Sequence, residues 1–369
     1  MTTEEILKQL IKIPSYVDTQ NNEEEIGRWI EKFLQEKTKL KFVRQFFEKK
    51  RFNLIAGNLT DPKVLITGHM DTVQPSQNWL TNPLKPILKG GRIYGLGTSD
   101  MKSGLAILLS TITKLDNPKG MYLFYGDEEY DFKGMKKFIQ EYQNKIAPKL
   151  IVSLDGEGLQ ISNSCRGLIE MTIEARGKSG HAAEPSSGIN AISQSQEVIS
   201  KLKRWLGKFS SSSLGRSTLN VAFILGGTKT KNDQPVGEGN IIANYCKYTI
   251  EIRVANENLN AQKIKRFIKI ESNKLGLKIT NIGIRHDLGN WITPKSQLES
   301  IIKAAFRNQT VKRESGYLDI QMLWQVFGKV PTFAFGCGEK EMAHKENEYV
   351  KGANLIKAEK FCRQLLSQS

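Results

Sequence analysis

Two residues that are able to bind a metal ion or to move a proton stand two positions apart, at His69 and Asp71. They follow the mostly apolar run Val64-Leu-Ile-Thr-Gly68, which is typical of a buried parallel strand. Residues two apart on an extended segment point to the same side, so the imidazole and the carboxylate would emerge together at the carboxyl end of that strand. A metal site and a buried structural pair explain these two residues equally well.

Further acidic residues occur where other predicted strands end. Glu128 and Glu129 follow the strand Met121–Tyr125, Asp155 follows the next strand, and Asp100 comes just before an apolar helix. Ligands of open α/β sheets bind at the carboxyl ends of the strands, so these side chains predict one convergent site. Zinc accepts histidine nitrogen and carboxylate oxygen, and two ions about 3.5–4 Å apart can act as a clamp.

The order of the predicted elements gives the fold class and the domains. Strands and helices alternate as far as residue 165, which predicts an α/β domain with a mostly parallel sheet and helices on both faces. From residue 166 the order becomes β-α-β-β-α-β, the ferredoxin-like signature. We therefore expect a catalytic domain at residues 1–165 and 286–369, with an inserted α+β domain at residues 166–285.

Composition narrows the choice of partners. The net charge is +16, but no dense basic run or basic stripe with interleaved aromatic residues occurs, so we expect no nucleic-acid partner. No apolar run approaches the roughly 20 residues of a membrane-spanning helix, and the amino terminus does not resemble a signal peptide. The four cysteines are widely scattered, which is typical of reduced thiols in a cytoplasmic protein. The positive charge would favour an anionic small substrate.

Through these residues and their neighbours, the chain resembles a known family over nearly its whole length. It comprises the co-catalytic zinc hydrolases, among them acetylornithine deacetylase, succinyl-diaminopimelate desuccinylase, aminoacylase and the glutamate carboxypeptidases. The inserted domain falls where this family has its lid and dimerisation domain. Five motifs carry the resemblance in the family's order: His69-Met-Asp71, Gly95 to Gly104 with Asp100 and Lys102, Asp127-Glu-Glu129, Gly180-His-Ala182 and Ala343-His-Lys345.

The resemblance implies two divalent metal ions per chain, with zinc expected and cobalt or manganese as alternatives. Asp100 would bridge the two ions, His69 and Asp155 would complete one of them, and Glu129 with His344 would complete the other. Gly156-Glu157-Gly158 departs from the family's pattern after Asp155, so Glu157 stays open as the alternative ligand.

The resemblance also implies two roles beside the metal ions. Asp71 would orient His69, as carboxylates commonly do for metal-binding histidines. Glu128 would be the general base that acts on a water molecule between the ions and passes its proton to the leaving amine.

In the inserted domain the resemblance implies three further roles. His181 would reach the active site of a partner subunit and donate a hydrogen bond to the developing oxyanion, which implies a homodimer formed through this domain. Asn240 and Arg253 resemble the pair that holds the carboxylate of the substrate. A surface loop for His181 and a surface strand charge for Arg253 are the alternatives.

The function that follows is metal-dependent hydrolysis of the amide bond of an N-acyl amino acid, of the acetylornithine deacetylase or succinyl-diaminopimelate desuccinylase type. A carboxypeptidase or dipeptidase that cleaves a short peptide is the alternative within the family. A non-catalytic binding protein on the same scaffold is disfavoured, because a degenerate member would first lose the general base or a metal ligand. One departure bears on specificity: Ile320 and Gln321 follow Asp319, where relatives often carry alanine and arginine.

Overall fold

The structure is a computed structural model of the 369-residue chain, and it describes residues 1–116, 118–230, 234–305, 311–314 and 317–367. The α-helices are α1 (Thr3–Ile11), α2 (Glu24–Lys37), α3 (Ser103–Thr113), α4 (Lys133–Tyr142), α5 (Ala191–Leu206), α6 (Ala261–Lys274), α7 (Lys295–Ala305), α8 (Ile320–Val326) and α9 (Gly352–Ser367). A helix is predicted over Leu298–Arg307, and the end of that prediction lies outside the described residues. None of the helices in the described ranges is both long and apolar enough to cross a membrane.

The strands are β1 (Phe42–Phe46), β2 (Phe52–Gly57), β3 (Val64–His69), β4 (Ile87–Lys89), β5 (Arg92–Tyr94), β6 (Met121–Tyr125), β7 (Leu150–Ser153), β8 (Ile161–Cys165), β9 (Gly167–Arg176), β10 (Ser210–Ser211), β11 (Gly215–Arg216), β12 (Thr218–Gly227), β13 (Tyr245–Val254), β14 (Lys278–Leu288), β15 (Trp291–Ile292), β16 (Val311–Glu314), β17 (Thr332–Phe335) and β18 (Tyr349–Lys351). A π-helical turn covers Thr98–Lys102, and a 3-10 turn covers Pro185–Ser187.

The chain divides into two compact units. The first comprises Met1–Ser164, Thr293–Arg313 and Leu318–Ser369, and the second comprises Cys165–Ile292 with Glu314–Tyr317. The second unit extends past residue 285 because β14 continues to Leu288 and β15 follows it. That this unit acts as a lid and a dimerisation domain stays a prediction.

A mixed sheet with the strand order β1-β2-β6-β3-β7-β17-β8 forms the centre of the first unit. Strand β3 pairs in parallel with both β6 and β7, and β7 pairs in parallel with β17, whereas the outer pairs are antiparallel. The predicted α/β fold class is confirmed, with the parallel pairs at the centre of the sheet. Every residue of β3, β6, β7 and β17 is buried, which explains their continuous apolar sequences.

The helix that follows the π-helical turn packs deep in this unit. Helix α3 is buried from Ser103 to Ile112 and contacts both α1 and α9. At its start, a Cβ added to Gly104 would lie 2.4 Å from the carbonyl oxygen of Leu154. This close approach brings the turn before α3 next to the carboxyl end of β7.

The second unit has a four-stranded antiparallel sheet in the order β12-β13-β9-β14. Along the chain, β9, α5, β12, β13, α6 and β14 follow in the β-α-β-β-α-β order. A core of apolar side chains joins the sheet to α5 and α6. The edge strand β12 exposes three large apolar side chains, those of Val221, Phe223 and Ile224.

Candidate metal centre and active site

His69 is the last residue of β3, pairs with Tyr125 of β6, and is fully buried. Its Nδ1 lies 3.0 Å from the backbone oxygen of Asp71, and its Nε2 lies 3.0 Å from Oδ1 of Asp100. Because a carbonyl oxygen only accepts a hydrogen bond, Nδ1 carries a proton. Nε2 is therefore the nitrogen that points to the other acidic groups and is suited to hold a metal ion.

Asp71 contacts His69 in a different way from the predicted carboxylate contact. Its Oδ1 is 3.7 Å from Nδ1 of His69, beyond hydrogen-bond distance. The backbone carbonyl makes the contact instead, while Oδ2 accepts a hydrogen bond of 2.9 Å from the backbone N–H of Glu129. Asp71 thus links the histidine at the end of β3 to the acidic turn after β6.

Asp100 lies in the π-helical turn with an extended backbone conformation (φ −132°, ψ 96°). Its Oδ1 faces Nε2 of His69, and its Oδ2 lies 3.4 Å from Nε2 of His344. Burial disfavours the charged carboxylate, but the hydrogen bonds to His344 and His69 outweigh it and hold the pKa of Asp100 below its usual range. A carboxylate with one histidine at each oxygen has the arrangement that a bridging ligand requires.

His344 and Glu129 form the second side of the site. Nε2 of His344 lies 2.9 Å from Oε2 of Glu129, and the imidazole is about half exposed. Its contacts with Asp100 and then with Glu129 raise the pKa of His344 to about 10. Burial, followed by the charge of Asp100, raises the pKa of Glu129.

Three of these side chains, His69, Asp100 and Glu129, place one ligand atom each within 4.8 Å of one another. Asp155 belongs to the same electrostatic cluster, because burial and then the charge of Asp100 raise its pKa well above the usual value. Glu157 makes a backbone bridge to Gly338.

Glu128 precedes Glu129 in the turn after β6 and is half-buried. Burial raises the pKa of its carboxyl well above the usual value, His69 opposes this rise, and the charges of Asp319, Glu129 and Asp155 add to it. A carboxylate next to candidate metal ligands is the kind of group that acts as a general base in hydrolysis.

Sequence reasoning missed one buried carboxylate that holds the Asp100 turn. Glu348 is 2% exposed and accepts hydrogen bonds from the backbone N–H groups of Gly97 (2.7 Å), Ser99 (2.5 Å) and Asp100 (2.9 Å). Its one sequence signal was its place four residues after His344.

Asp319 is a second buried carboxylate near the site. The hydroxyl of Tyr125 donates a hydrogen bond of 2.8 Å to Oδ1 of Asp319, and burial raises the pKa of Asp319 to about 6. The sequence pointed to Asp319 only as the start of a departure from the family's pattern.

The three candidates of the second unit do not all lie together. His181 is exposed, and its Nδ1 accepts a hydrogen bond of 3.2 Å from the backbone N–H of Ala183, so Nε2 carries the proton and can donate. Asn240 is next to it, because its backbone oxygen accepts from Ala182 N–H at 2.9 Å. Arg253 lies near the other end of β13, where its Nε donates to Glu251 at 2.8 Å.

The donors in the first unit fit a divalent metal centre. They are imidazole nitrogen and carboxylate oxygen, the ligands that zinc accepts. Burial raises the pKa values of Glu128, Glu129 and Asp155, and like-charge repulsion raises them further. A divalent cation among these carboxyl groups would offset that repulsion.

Comparison with known proteins shows the family of this chain. Residues 65–368 match the profile of Peptidase family M20/M25/M40. Acetylornithine deacetylase of Buchnera aphidicola subsp. Schizaphis graminum is 26% identical, over 98% of this chain and 96% of that protein. A probable carboxypeptidase of Aspergillus clavatus is 29% identical, over 72% of this chain and 67% of that protein.

Among solved structures, the M20 family metallo-carboxypeptidase Sso-CP2 of Sulfolobus solfataricus superposes with a TM-score of 0.79. The match covers 99% of this chain and 98% of that chain at 19% identity. The chain belongs to Peptidase family M20/M25/M40. It is a metallo-hydrolase of that family, as the resemblance of its motifs implied.

Proposed function

We propose that this protein hydrolyses the amide bond of an N-acyl amino acid, as a deacylase of the acetylornithine deacetylase or succinyl-diaminopimelate desuccinylase type. The observation that carries the proposal is the placement of Asp100 between His69 and His344, with Glu128 and Glu129 beside them. The similarity to an acetylornithine deacetylase over nearly all of both chains supports the deacylase type.

Two divalent ions are proposed, with zinc preferred and cobalt or manganese as alternatives. Asp100 would bridge them, His69 and Asp155 would complete one site, and Glu129 and His344 would complete the other. Bound there, the ions would act as Lewis acids and lower the pKa of water. The electrostatic contact of Asp155 with Asp100 and His69 supports Asp155 as the ligand.

The residues of the chain would then carry the proton. Glu128 accepts a proton from the attacking water on its carboxylate and delivers it to the nitrogen of the leaving amine. Asp71 fixes the ring of His69 through its carbonyl and the backbone of Glu129 through its carboxylate.

The second unit would supply substrate contacts from two copies of the chain. From Tyr245 to Arg253, β13 spans eight residue steps, roughly 26 Å at about 3.3 Å per residue. Asn240 lies beyond the Tyr245 end, where the ladder continues through the hydrogen bonds from Ile242 to Gly180 and from Ala182 to Asn240. One substrate carboxylate is therefore within reach of both Asn240 and Arg253 only if they come from different subunits.

We accordingly propose a homodimer in which His181 and Asn240 reach the active site of the partner. The proton on Nε2 of His181 supports its role as a donor to the developing oxyanion. The exposed apolar side chains of the edge strand β12 support this unit as the contact between subunits. We also propose a cytoplasmic location, in keeping with the scattered cysteines.

A carboxypeptidase or dipeptidase is the second candidate, and the similarity to a probable carboxypeptidase supports it. Both reactions cleave an amide bond in a substrate with a free carboxylate, so the same site serves either. A screen of metal-loaded protein against N-acetyl amino acids, N-succinyl amino acids and dipeptides distinguishes them by the amine released. Release from the acyl amino acids is expected, release from dipeptides alone would favour the second candidate, and release from none would contradict both.

A further inference from the structure

The turn that carries Glu128 and Glu129 rests on a buried ion-pair network. Arg51 is 8% exposed at its side chain, and its partners Glu23 and Asp127 are 0% and 2% exposed. Arg51 donates to Glu23 through Nε (2.7 Å) and Nη2 (2.5 Å), and Nη2 also donates to Oδ1 of Asp127 (2.5 Å). The guanidinium thus makes a two-point contact with one carboxylate and a further bond to the residue just before Glu128.

The network extends from these side chains to the backbone of the turn. Oε1 of Glu23 accepts a hydrogen bond of 2.9 Å from the backbone N–H of Asp127. Oδ2 of Asp127 accepts from the backbone N–H groups of Asp131 (3.2 Å) and Lys133 (3.1 Å). Asp127 is therefore held by two sets of contacts. Arg51 and Glu23 bind it from outside the turn, and the backbone N–H groups of Asp131 and Lys133 bind it from within the turn.

Two backbone features show that this arrangement is closely fitted. Asp127 has a φ of +70°, in the left-handed region that non-glycine residues adopt only when surrounding contacts hold them there. At the neighbouring Gly126, an added Cβ would lie 2.7 Å from Oε1 of Glu23. The glycine lets the carboxylate approach the backbone, and the carboxylate then holds Asp127 in its conformation.

The exposed end of the network also contacts the turn. Nη1 of Arg51 donates to Oε2 of Glu48 at 2.8 Å, and Nζ of Lys133 donates to Oε1 of the same carboxylate at 2.5 Å. Arg51 is thus linked to the first residue and to the last residue of the segment 127–133. A lysine at position 51 would keep the positive charge but would lose this forked geometry.

We infer that Arg51, together with Glu23 and through Asp127, is a positioning residue for Glu128 and Glu129. Its effect on turnover rests on the proposed function of Glu128, whereas its effect on the turn does not. A displacement of about 1 Å in a reacting group is able to cost roughly 10²-fold in rate, so a looser turn would lower kcat without removing a group that contacts substrate.

The test compares Arg51→Lys with Arg44→Lys in the metal-loaded protein. Arg44 lies on strand β1 and makes its forked contact with Glu31, instead of with Glu23 or Asp127. Hydrogen exchange of the backbone amides in residues 126–133 reports on the turn, and α3 serves as the internal reference. Steady-state kinetics and metal content are measured on the same preparations.

In Arg51→Lys, faster exchange is expected in residues 126–133 but not in α3, with kcat lowered by roughly 10²-fold and with KM and metal content close to the parent values. Arg44→Lys is expected to match the parent protein in all four measurements. Unchanged exchange in residues 126–133 would overturn the inference whatever the activity. Faster exchange with unchanged kcat would overturn the link between the turn and turnover.

Glu23→Gln is the second variant, for use if Arg51→Lys does not fold. The amide replaces one carboxylate oxygen by a donor, so one of the two bonds from Arg51 is lost while the volume is kept. The same change in exchange and kcat is expected, and its absence would overturn the inference. If Glu128→Gln retained normal activity, the proposed function would fail, but the exchange result would still decide the role of Arg51.

Discussion

The two histidines that face Asp100 differ in their surroundings. His69 is buried, whereas His344 is about half exposed and its pKa is raised to about 10 by Asp100 and Glu129. The folded pKa is above the reference value of 6.5, so the stabilisation from the charged imidazole is full below about pH 6.5 and is lost as the pH rises through about 10.

We therefore predict that the melting temperature of chelator-treated protein falls between pH 6.5 and pH 10, in part because His344 loses its proton. His344→Gln removes the titrating group, so its melting temperature is expected to fall less over the same range. Thermal unfolding of both proteins across the range measures the difference. Parallel curves for the parent and the variant would contradict this account of His344.

Asp155 and Glu157 are two residues apart, and each is a candidate for the same ligand position. Asp155 interacts electrostatically with Asp100 and His69, which favours Asp155 as the ligand. We predict that Asp155→Asn weakens binding of one metal ion and that Glu157→Gln retains both. Metal analysis after dialysis measures this, and loss of an ion only in Glu157→Gln would assign the ligand to Glu157.

At the scale of elements, helix α3 approaches Leu154, the residue after β7, and this approach brings the turn of Asp100 close to Asp155. A Cβ at Gly104 would come within 2.4 Å of the Leu154 carbonyl oxygen and 2.6 Å of Met101 Cε. The backbone oxygen is not free to move away as a flexible side chain would be. Gly283 in β14 has no atom within 4 Å of an added Cβ and provides a matched control.

We predict that Gly104→Ala lowers the free energy of unfolding by about 1–3 kcal/mol, as overpacking in a core does. Gly283→Ala is expected to change it by less than about 0.5 kcal/mol. Denaturant unfolding of the metal-loaded protein measures both variants. Equal stability of the two would mean that the approach of α3 to β7 is looser than the structure shows.

Much of the element order was predictable because the buried strands have strong local signals. The apolar run Met121–Tyr125 coincides with β6, and the run Val64–Gly68 lies within β3. Helix α4 was not predicted, since only Gly134, Met135 and Phe138 of it are buried. Helix α8 was missed because it is short and its first five residues are all buried, so no polar face marks it.

The residues of the candidate site were likewise predictable only in part. Candidate ligands were predictable where a polar residue lies at the end of an apolar strand or a few residues after it, as His69 and Glu129 do. Arg51 and Glu348 carry no such local mark, because their contacts join them to residues 76 and about 250 positions away. Such long-range partners become visible only once the chain is folded.

At the scale of the whole molecule, the proposed dimer makes a distinct prediction about mixed subunits. His181→Ala and Glu128→Gln should each be nearly inactive alone. If His181 acts in the partner's active site, one site of each mixed dimer carries both defects and the other carries neither. Activity should therefore return when the two variants are mixed and their subunits exchange.

A mixture of Glu128→Gln with His344→Gln is the matched control, because both residues lie in the first unit and every site in that mixed dimer keeps a defect. Turnover is measured before and after mixing, with subunit exchange followed independently. Exchange without any return of activity in the His181 mixture would mean that His181 does not act across the dimer.

The central claim is that Glu128 is the general base beside a metal centre, and one variant tests it directly. Glu128→Gln keeps the shape of the side chain and removes the proton acceptor. Measured on one preparation, kcat is predicted to fall by about 10²- to 10⁴-fold while the metal content stays equal to that of the parent protein. A near-normal kcat at unchanged metal content would contradict the claim.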